Sequence, residues 1–279
     1  MTDVAVVSLH LYPVKSCRAI DVPRATVATT GLAVAGARDR EWMVVDAQGR
    51  FVTQREHPRM ALIEPLVEDG TLRLRVPGSE PPVLRAQGDA REVVVWRSSV
   101  RGFDAGDDAA AALSTFLGAD VRLVRFDDAL PRACNPDHAG ESGAATLFAD
   151  GYPLLVIGQA SLDGLNERLA TRGFPAVPMN RFRPNVVVAG LEPHGEDRVD
   201  RLVFGDVVLR PVKPCTRCVV TTTDQASGER YAEPLRTLAT YRRDERFGGV
   251  TFGVNAIIAS GAGGSLAAGM RGTAGPDVR

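Results

Sequence analysis

Lys213-Pro-Cys-Thr-Arg-Cys218 runs directly into Val219-Val-Thr-Thr-Thr-Asp-Gln-Ala-Ser-Gly228 and holds two of the chain's four cysteines, each with a basic residue close by. A cationic neighbour favours the thiolate, the form that binds metal or attacks electrophiles. The apolar and hydroxyl-bearing run over 218–223 predicts a strand. A thioredoxin-like Cys-x-x-Cys opens a helix, so a pair that precedes a strand argues against that reading. A four-cysteine zinc site needs a second pair. Cys17 and Cys134 are not one, and His10, His57, His138 and His194 show no ligand spacing. Two readings remain open from the residues: one functional thiolate beside a bystander, or two inert buried thiols.

Outward from this stretch the signal is mostly strand. Val4 to Leu11, Ala25 to Thr30, Asn185 to Ala189, Arg201 to Phe204 and Val207 to Val212 alternate or run apolar at strand length. Arg40 to Asp46 and Phe51 to Gln54 flank turn chemistry and predict a hairpin. Leu72 to Val76 and Glu92 to Trp96 add short strands, punctuated by Asp69-Gly70 and Pro77-Gly78. Asp107 to Leu117 and Ser161 to Thr171 predict helices ending at Gly118 and Gly173, and Pro234 to Arg243 predicts a third. Arg132 to Ala145 reads as a loop. Gly261 to Arg279 predicts one short element near Leu266 to Met270, then fraying. The fold class is mainly β with attached helices (α+β), built as packed sheets or barrels.

The 279 residues suffice for one large domain or two ordinary ones. With 33 basic against 34 acidic residues, no global basic field points to nucleic acid or an anionic membrane. No apolar run is long enough to span a bilayer, and the N-terminus lacks signal-peptide regions. Four cysteines are few for a disulfide framework, so the expected setting is reducing and cytoplasmic.

Other basic residues sit at element ends. Lys15 and Ser16 close the first strand, a placement that suits anion binding as well as solvation. Arg38-Asp39-Arg40 reads by default as a surface ion pair. In Asn180-Arg-Phe-Arg-Pro-Asn185, strand alternation aims Arg181 and Arg183 to one side and Phe182 to the other.

Taken together, Leu11-Tyr-Pro-Val-Lys-Ser-Cys17, Arg38-Asp-Arg-Glu-Trp42, Phe182-Arg-Pro-Asn185, Gly205-Asp206 and Cys215-Thr-Arg-Cys-Val-Val-Thr-Thr-Thr-Asp224 closely resemble the MOSC family. The likeness is to its two-part members, the amidoxime reducing components and their bacterial relatives, and spans Val7 to about Gly253. It implies a MOSC β-barrel core, 1–40 with 129–279, and a second β-rich N-terminal domain over 41–128. It implies Mo-molybdopterin, the molybdenum cofactor, with Cys218 as the metal's thiolate ligand and the catalytic residue, Arg217 holding that thiolate ionised and Cys215 an unligated neighbour. Lys15, Ser16, Arg40, Arg183 and Asn185 would hold phosphate and pterin, and Thr216 and Arg217 would add contacts. Gly151, Tyr152 and Asn255 occupy further cofactor positions, where this sequence departs from the family's hydroxyl-bearing residues. A family-level association with pyridoxal phosphate also comes with the likeness.

The activity implied is two-electron reduction of small N-hydroxylated compounds such as amidoximes and hydroxylamines. No flavin, nicotinamide or iron–sulfur fingerprint is visible, and the chain ends before a ferredoxin module could fit, so the expected electron donor is separate: a ferredoxin, a flavodoxin or a small haem protein. No nucleic-acid or membrane partner is expected. Asp224 and His138 are weak candidates for a proton donor. The rival readings are a cofactor or sulfur carrier with a persulfide on Cys218, and a cofactor-free binding module.

Overall fold

Alternating burial builds the first strand. In the computed structural model β1 (Thr2–Leu11) turns Val4, Val6, Leu9 and Leu11 inward, and a bulge between Val6 and Ser8 resets the alternation. Residues 1–68, 70–85, 88–129 and 131–276 are described, so Asp69 and positions 277–279 of the expected frayed tail lie outside the described residues. After β2 (Ile20–Val22) come β3 (Arg24–Ala28), β4 (Gly31–Val34), β5 (Ala37–Arg38) and β6 (Trp42–Asp46). Hairpins β7 (Glu64–Glu68) with β8 (Thr71–Arg75) and β9 (Ala90–Val95) with β10 (Ser98–Asp104) follow. Helix α1 (Asp107–Leu117) buries Ala109, Leu113 and Phe116 and stops at Gly118, whose φ of 65° is the left-handed cap that glycine adopts freely. β11 (Val121–Phe126) then completes a four-stranded sheet in the order β6-β11-β10-β9.

The second half begins with the short β12 (Arg132–Ala133), α2 (Pro136–Ala139) and β13 (Ala145–Thr146). Next come β14 (Leu154–Gly158), α3 (Gln159–Thr171) and β15 (Val186–Ala189). β14 and β15 are parallel, so a crossover must join them, and α3 supplies it. β16 (Val199–Phe204), β17 (Val207–Thr216), α4 (Leu235–Leu238), β18 (Arg243–Asp244), β19 (Gly249–Ser260), β20 (Ser265–Ala267) and β21 (Arg271–Pro276) complete the described chain.

Seven strands close into a barrel in the order β14-β15-β1-β21-β16-β17-β19, with β19 pairing back to β14. Closure leaves these strands no free edge. β1 thus serves as a barrel stave among strands that all come from the second half, and β20 joins the early meander β3-β4-β5. One apolar cluster runs from Val4, Leu202 and Phe204 in the barrel to Trp42, Leu113 and Phe116 beyond it. The fold is mainly β with attached helices, as expected. Among the described residues no helix is long and apolar enough to cross a membrane.

Five local expectations are corrected. The strand expected over 218–223 is a 3-10 helix over Val219–Thr222: Thr221 and Thr222 bond their hydroxyls back to the carbonyls of Cys218 and Val219, at 3.0 and 2.7 Å, in place of a sheet partner. The third helix shrinks to the single turn Leu235–Leu238, because Arg242 and Arg243 are drawn to the edge of β19. The loop over 132–145 contains α2, capped by the Asn135 side chain accepting from Asp137 N at 2.9 Å. The expected fraying after Met270 gives way to β21, which lies between β1 and β16; Gly272 permits it, since a Cβ there would stand 2.2 Å from Val203 O. The second hairpin arm is a lone bridge, Val45 to Phe51.

Candidate active site

The cleft opens where β1 ends, beside the ends of β14 and β17. β1 runs into Pro13, and Lys15 N then donates to Trp42 O at 2.8 Å, turning the Lys15 side chain into the interior. Lys15 Nζ donates to Phe148 O at 2.9 Å and is ion-paired with Asp150. Burial pushes the ammonium below its usual range, and Asp150 opposes that shift. Ser16 follows in a left-handed conformation, φ 66°, with its carbonyl accepting from Gln54 Nε2 at 2.7 Å.

Arg40, also left-handed at φ 48°, donates its backbone N–H to Tyr12 O and its side chain to Asp39 and to Asn185 Oδ1 at 3.0 Å. Asp39 is buried, not a surface partner, which corrects that default. It also accepts from Tyr12 N at 3.0 Å and Asn185 Nδ2 at 2.8 Å. Asn185 spends all four of its hydrogen-bonding capacities inside the protein: it donates to His10 O and Asp39 and accepts from Leu155 N and Arg40. In this arrangement it sets the spacing of β1, β14 and Arg40.

Arg183 does not share a strand face with Arg181. The segment is a 3-10 turn ending in Phe182, and Arg183 is left-handed at φ 58°. Arg181 turns away to Thr222 O and Asp224, whereas Arg183 lines the cleft. The guanidinium carbons of Arg40 and Arg183 lie 4.2 and 4.4 Å from the centroid of the buried Tyr12 ring. Arg183 Nη1 is buried without a hydrogen-bond partner. Burial holds its guanidinium below the usual range, and the neighbouring Arg40 adds to the effect.

Across the cleft, Cys215 and Thr216 end β17, and Cys218 caps the 3-10 helix, half-buried. Arg217 is aimed at Cys215, not at Cys218: Nη1 lies 3.0 Å from Cys215 Sγ and Nη2 donates to Phe182 O at 2.6 Å, while Nε is buried without a partner. The expectation that Arg217 holds the Cys218 thiolate is corrected, because β17 carries Cys215 toward Phe182 whereas the chain turns into the helix at Cys218. Gly151 lines the cleft with open space at its Cα. Tyr152 packs with Cys134, Ala139 and Ile257, and burial pushes its hydroxyl to about 12. Asn255 on β19 donates to Lys213 O at 3.2 Å.

The eleven residues that the resemblance assigns to the cofactor all line this one cleft: Lys15, Ser16, Arg40, Gly151, Tyr152, Arg183, Asn185, Thr216, Arg217, Cys218 and Asn255. Cys215 lines it too. Cys17 and Cys134 do not, and burial raises their thiols to about 12 and about 11. Asp224 and His138 also lie outside the lining. Asp224 caps its own turn and pairs with Arg181, and His138 stacks near Phe247.

Comparison with known proteins decides the family. Residues 3–120 match the MOSC N-terminal beta barrel domain and residues 144–269 the MOSC domain. Mitochondrial amidoxime reducing component 2 of Bos taurus is 35% identical over 243 residues, covering 84% of this chain and 71% of that protein. Mitochondrial amidoxime-reducing component 1 of Mus musculus is 36% identical over 245 residues, covering 85% and 71%, and its Homo sapiens counterpart is 34% identical over 247 residues, covering 85% and 72%. The chain belongs to the MOSC family.

As a MOSC protein it shows two cleft residues that the sequence reading missed. Asp150 answers the Lys15 charge, and Arg55 lines the cleft beside it, over the Trp96 ring that also bonds Asp150. Partial desolvation works against the Asp150 charge, yet Lys15 and Arg55 hold its carboxyl below the usual carboxylate range. Position next to Gly151 was the available signal for Asp150. For Arg55 it was a lone arginine closing an apolar arm. Among the described residues no three His, Cys, Asp or Glu side chains converge as a metal ligand set, so a metal held in this cleft would bring most of its ligands with it.

Proposed function

We propose that this MOSC protein is a molybdenum-cofactor-dependent oxidoreductase that reduces small N-hydroxylated compounds, taking electrons from a separate carrier protein. The observation that carries the reading is a half-buried thiol, Cys218, in a cleft lined by five cations (Lys15, Arg40, Arg55, Arg183 and Arg217) and one carboxylate, Asp150. The names of the relatives, which speak of amidoxime reduction, support it.

The residues present fit a phosphorylated, metal-bearing cofactor. Arg183 Nη1 and Arg217 Nε are buried donors without a partner, and a buried donor left unsatisfied costs roughly 1–3 kcal/mol. An anionic tail would satisfy them. Cys218 Sγ makes no hydrogen bond among the described residues, and a thiolate there would be a soft ligand suited to molybdenum. When bound, the cofactor supplies the two-electron redox centre and the acceptor for the substrate's oxygen.

The chain's own part is binding and electrostatics. Arg183 and Arg217 would grip the anionic tail, with Arg40, held by Asp39 and Asn185, as a third cation. Tyr12 keeps the Arg40 and Arg183 guanidinium groups apart. Over the full reaction two electrons and two protons enter, the N–O bond breaks, and water leaves with the amidine or amine. No carboxylic acid of the cleft is free to donate those protons, since Asp150 is held ionised by Lys15 and Arg55.

The test is molybdenum and pterin analysis of the purified protein, with amidoxime reduction driven by a reduced viologen dye. Stoichiometric molybdenum and turnover, both lost in Cys218→Ser, are expected. A labile sulfane sulfur on Cys218 without molybdenum would assign a carrier instead. Turnover from NADH without an added protein would remove the separate donor.

A further inference from the structure

One cation of the lining, Arg55, makes no ion pair of its own and only shares the field of Asp150, the partner of Lys15. Arg55 is half-buried in the lining, and among the described residues its guanidinium has no hydrogen-bond acceptor and no ion-pair partner. Its backbone is fixed firmly. Arg230, from the far half of the chain, donates to the carbonyls of Gln54 and Arg55, and Arg55 N donates to Thr53 Oγ1 at 3.0 Å. The guanidinium carbon lies 4.7 Å from the ring centroid of Trp96.

Trp96 is unusual in its own right. It begins the turn between β9 and β10, is 44% exposed, and has φ 57°. A bulky residue in that region is strained, where glycine or asparagine would turn freely. Contacts hold it there: its indole N–H donates to Asp150 Oδ1 at 3.1 Å, and the Phe51 ring stands 5.0 Å away. A guanidinium over an indole face is oriented by the ring and keeps its N–H donors free in its own plane.

The other charges of the cleft are accounted for. Lys15 is matched by Asp150 and Arg40 by Asp39. Arg183 and Arg217, with their buried unpartnered nitrogens, serve the deep site. Arg55 remains, half-buried in the lining and outside ion-pair distance of Asp150. Resting on the reductase reading, we infer that Arg55, stacked on Trp96, is the receptor for an oxyanion carried by the substrate: a carboxylate or phosphate set apart from the N–O bond that is cleaved. The phosphate of a bound cofactor has the same chemistry, and the experiment separates the two.

Three measurements on the full chain, wild type and Arg55→Met, decide it. Tryptophan fluorescence is titrated with benzoate, a carboxylate that cannot be reduced. Trp96 is exposed and Trp42 buried, so a saturable change reports on the rim. The half-saturation point should shift by about tenfold or more in Arg55→Met, the loss of one charge-assisted contact. The ratio of kcat/KM for 4-carboxybenzamidoxime to that for benzamidoxime should fall about tenfold, with Arg55→Lys in between. Molybdenum and pterin content should match the wild type. An unchanged ratio, a loss shared equally by both substrates, or an unshifted benzoate response overturns the inference. Depleted cofactor with the ratio intact reassigns Arg55 to the cofactor's phosphate. If the wild type reduces neither amidoxime, the reductase reading falls and the substrate assignment with it, while the benzoate titration still decides whether Arg55 binds an oxyanion.

Discussion

Asp39→Asn tests how the cleft is held together. The Asp39 side chain is 1% exposed and that of Arg40 14%, so their ion pair is largely shielded from water. Asp39 accepts from Tyr12 N, Arg40 and Asn185 Nδ2. An asparagine keeps the shape, and with its Oδ1 still accepting from Tyr12 N and Asn185 Nδ2 its NH2 faces Arg40, donor against donor. Removing one partner of a buried pair costs roughly 3–5 kcal/mol. Because Arg40 retains Asn185 Oδ1 and Arg183 O as acceptors, the lower end, about 3 kcal/mol, is expected. At about 2–4 °C per kcal/mol for a chain near this size, the melting midpoint should drop by roughly 6–12 °C. The freed Arg40 charge should also make the variant more responsive to added phosphate, so phosphate should raise its midpoint more than that of the wild type. Differential scanning fluorimetry with and without phosphate reads both effects. Asp244→Asn is the control, since its partner Arg246 is exposed, and it should move the midpoint little. A drop no larger than the control's, or equal phosphate responses, would refute the idea that Asp39 restrains Arg40.

The remaining predictions concern the scaffold. Asp104 is nearly buried; desolvation works against its charge, but Arg122 and the Gly106 amide hold its carboxyl below the usual range. A depressed folded pKa contributes stability that is present above the unfolded value of about 3.9 and lost as pH falls through the lower folded value. Urea midpoints should therefore fall on acidification below about pH 4 in the wild type, with a shallower fall in Asp104→Asn; identical pH slopes would contradict this. Gly253 sits in β19 at φ 72°, and a Cβ there would stand 2.6 Å from Ile157 Cγ1 and 2.9 Å from Val156 O. Gly253→Ala should cost roughly 2–4 kcal/mol from left-handed strain and overpacking together, read by urea unfolding. A cost within error of Gly143→Ala, a left-handed glycine with open space around it, would show that the crowding by β14 relaxes freely.

The sequence carried the barrel staves and the lining of the cleft further than its local turns. β1, β16 and β17 alternate and β15 runs apolar strongly enough to be read directly, and α1 announces itself by Leu113, Phe116 and a glycine stop. Val219–Thr222 misled because β-branched residues signal a strand, whereas here threonine hydroxyls satisfy the backbone locally and ladder-like pairing is confined to a bridge from Thr223 to Arg230. β21 misled because its glycines signal flexibility; what orders them is close approach to Val203 and Phe204, a tertiary fact. The charge pairing inside the cleft was equally hidden. Lys15 and Asp150 are 135 residues apart, and Arg40 and Asn185 are 145 apart. Arg40 has its counter-ion, Asp39, next to it in sequence, but no local pattern ties Lys15 to Asp150.

Backbone strain links this architecture to the cleft. Six non-glycine residues of the described chain have positive φ, and three of them, Ser16, Arg40 and Arg183, line the cleft, while a fourth, Trp96, stacks on the lining residue Arg55. Each such conformation costs of order 1–3 kcal/mol and persists only where its surroundings over-determine it. The restraints here come from distant parts of the chain. Arg40 N is bonded to Tyr12 O at the end of β1, Ser16 O to Gln54, and the Arg40 side chain to Asn185 at the foot of β15. β1 in turn is fixed by pairing with β15 on one side and β21 on the other. The left-handed residues can therefore be held only once the barrel has closed around β1, and the same closure aims Arg40 and Arg183 before any ligand arrives. Weakening the barrel seam at β1–β21 should thus loosen the cleft's cations, because the left-handed backbone of Arg40 is bonded to Tyr12 O at the end of the strand that this seam fixes.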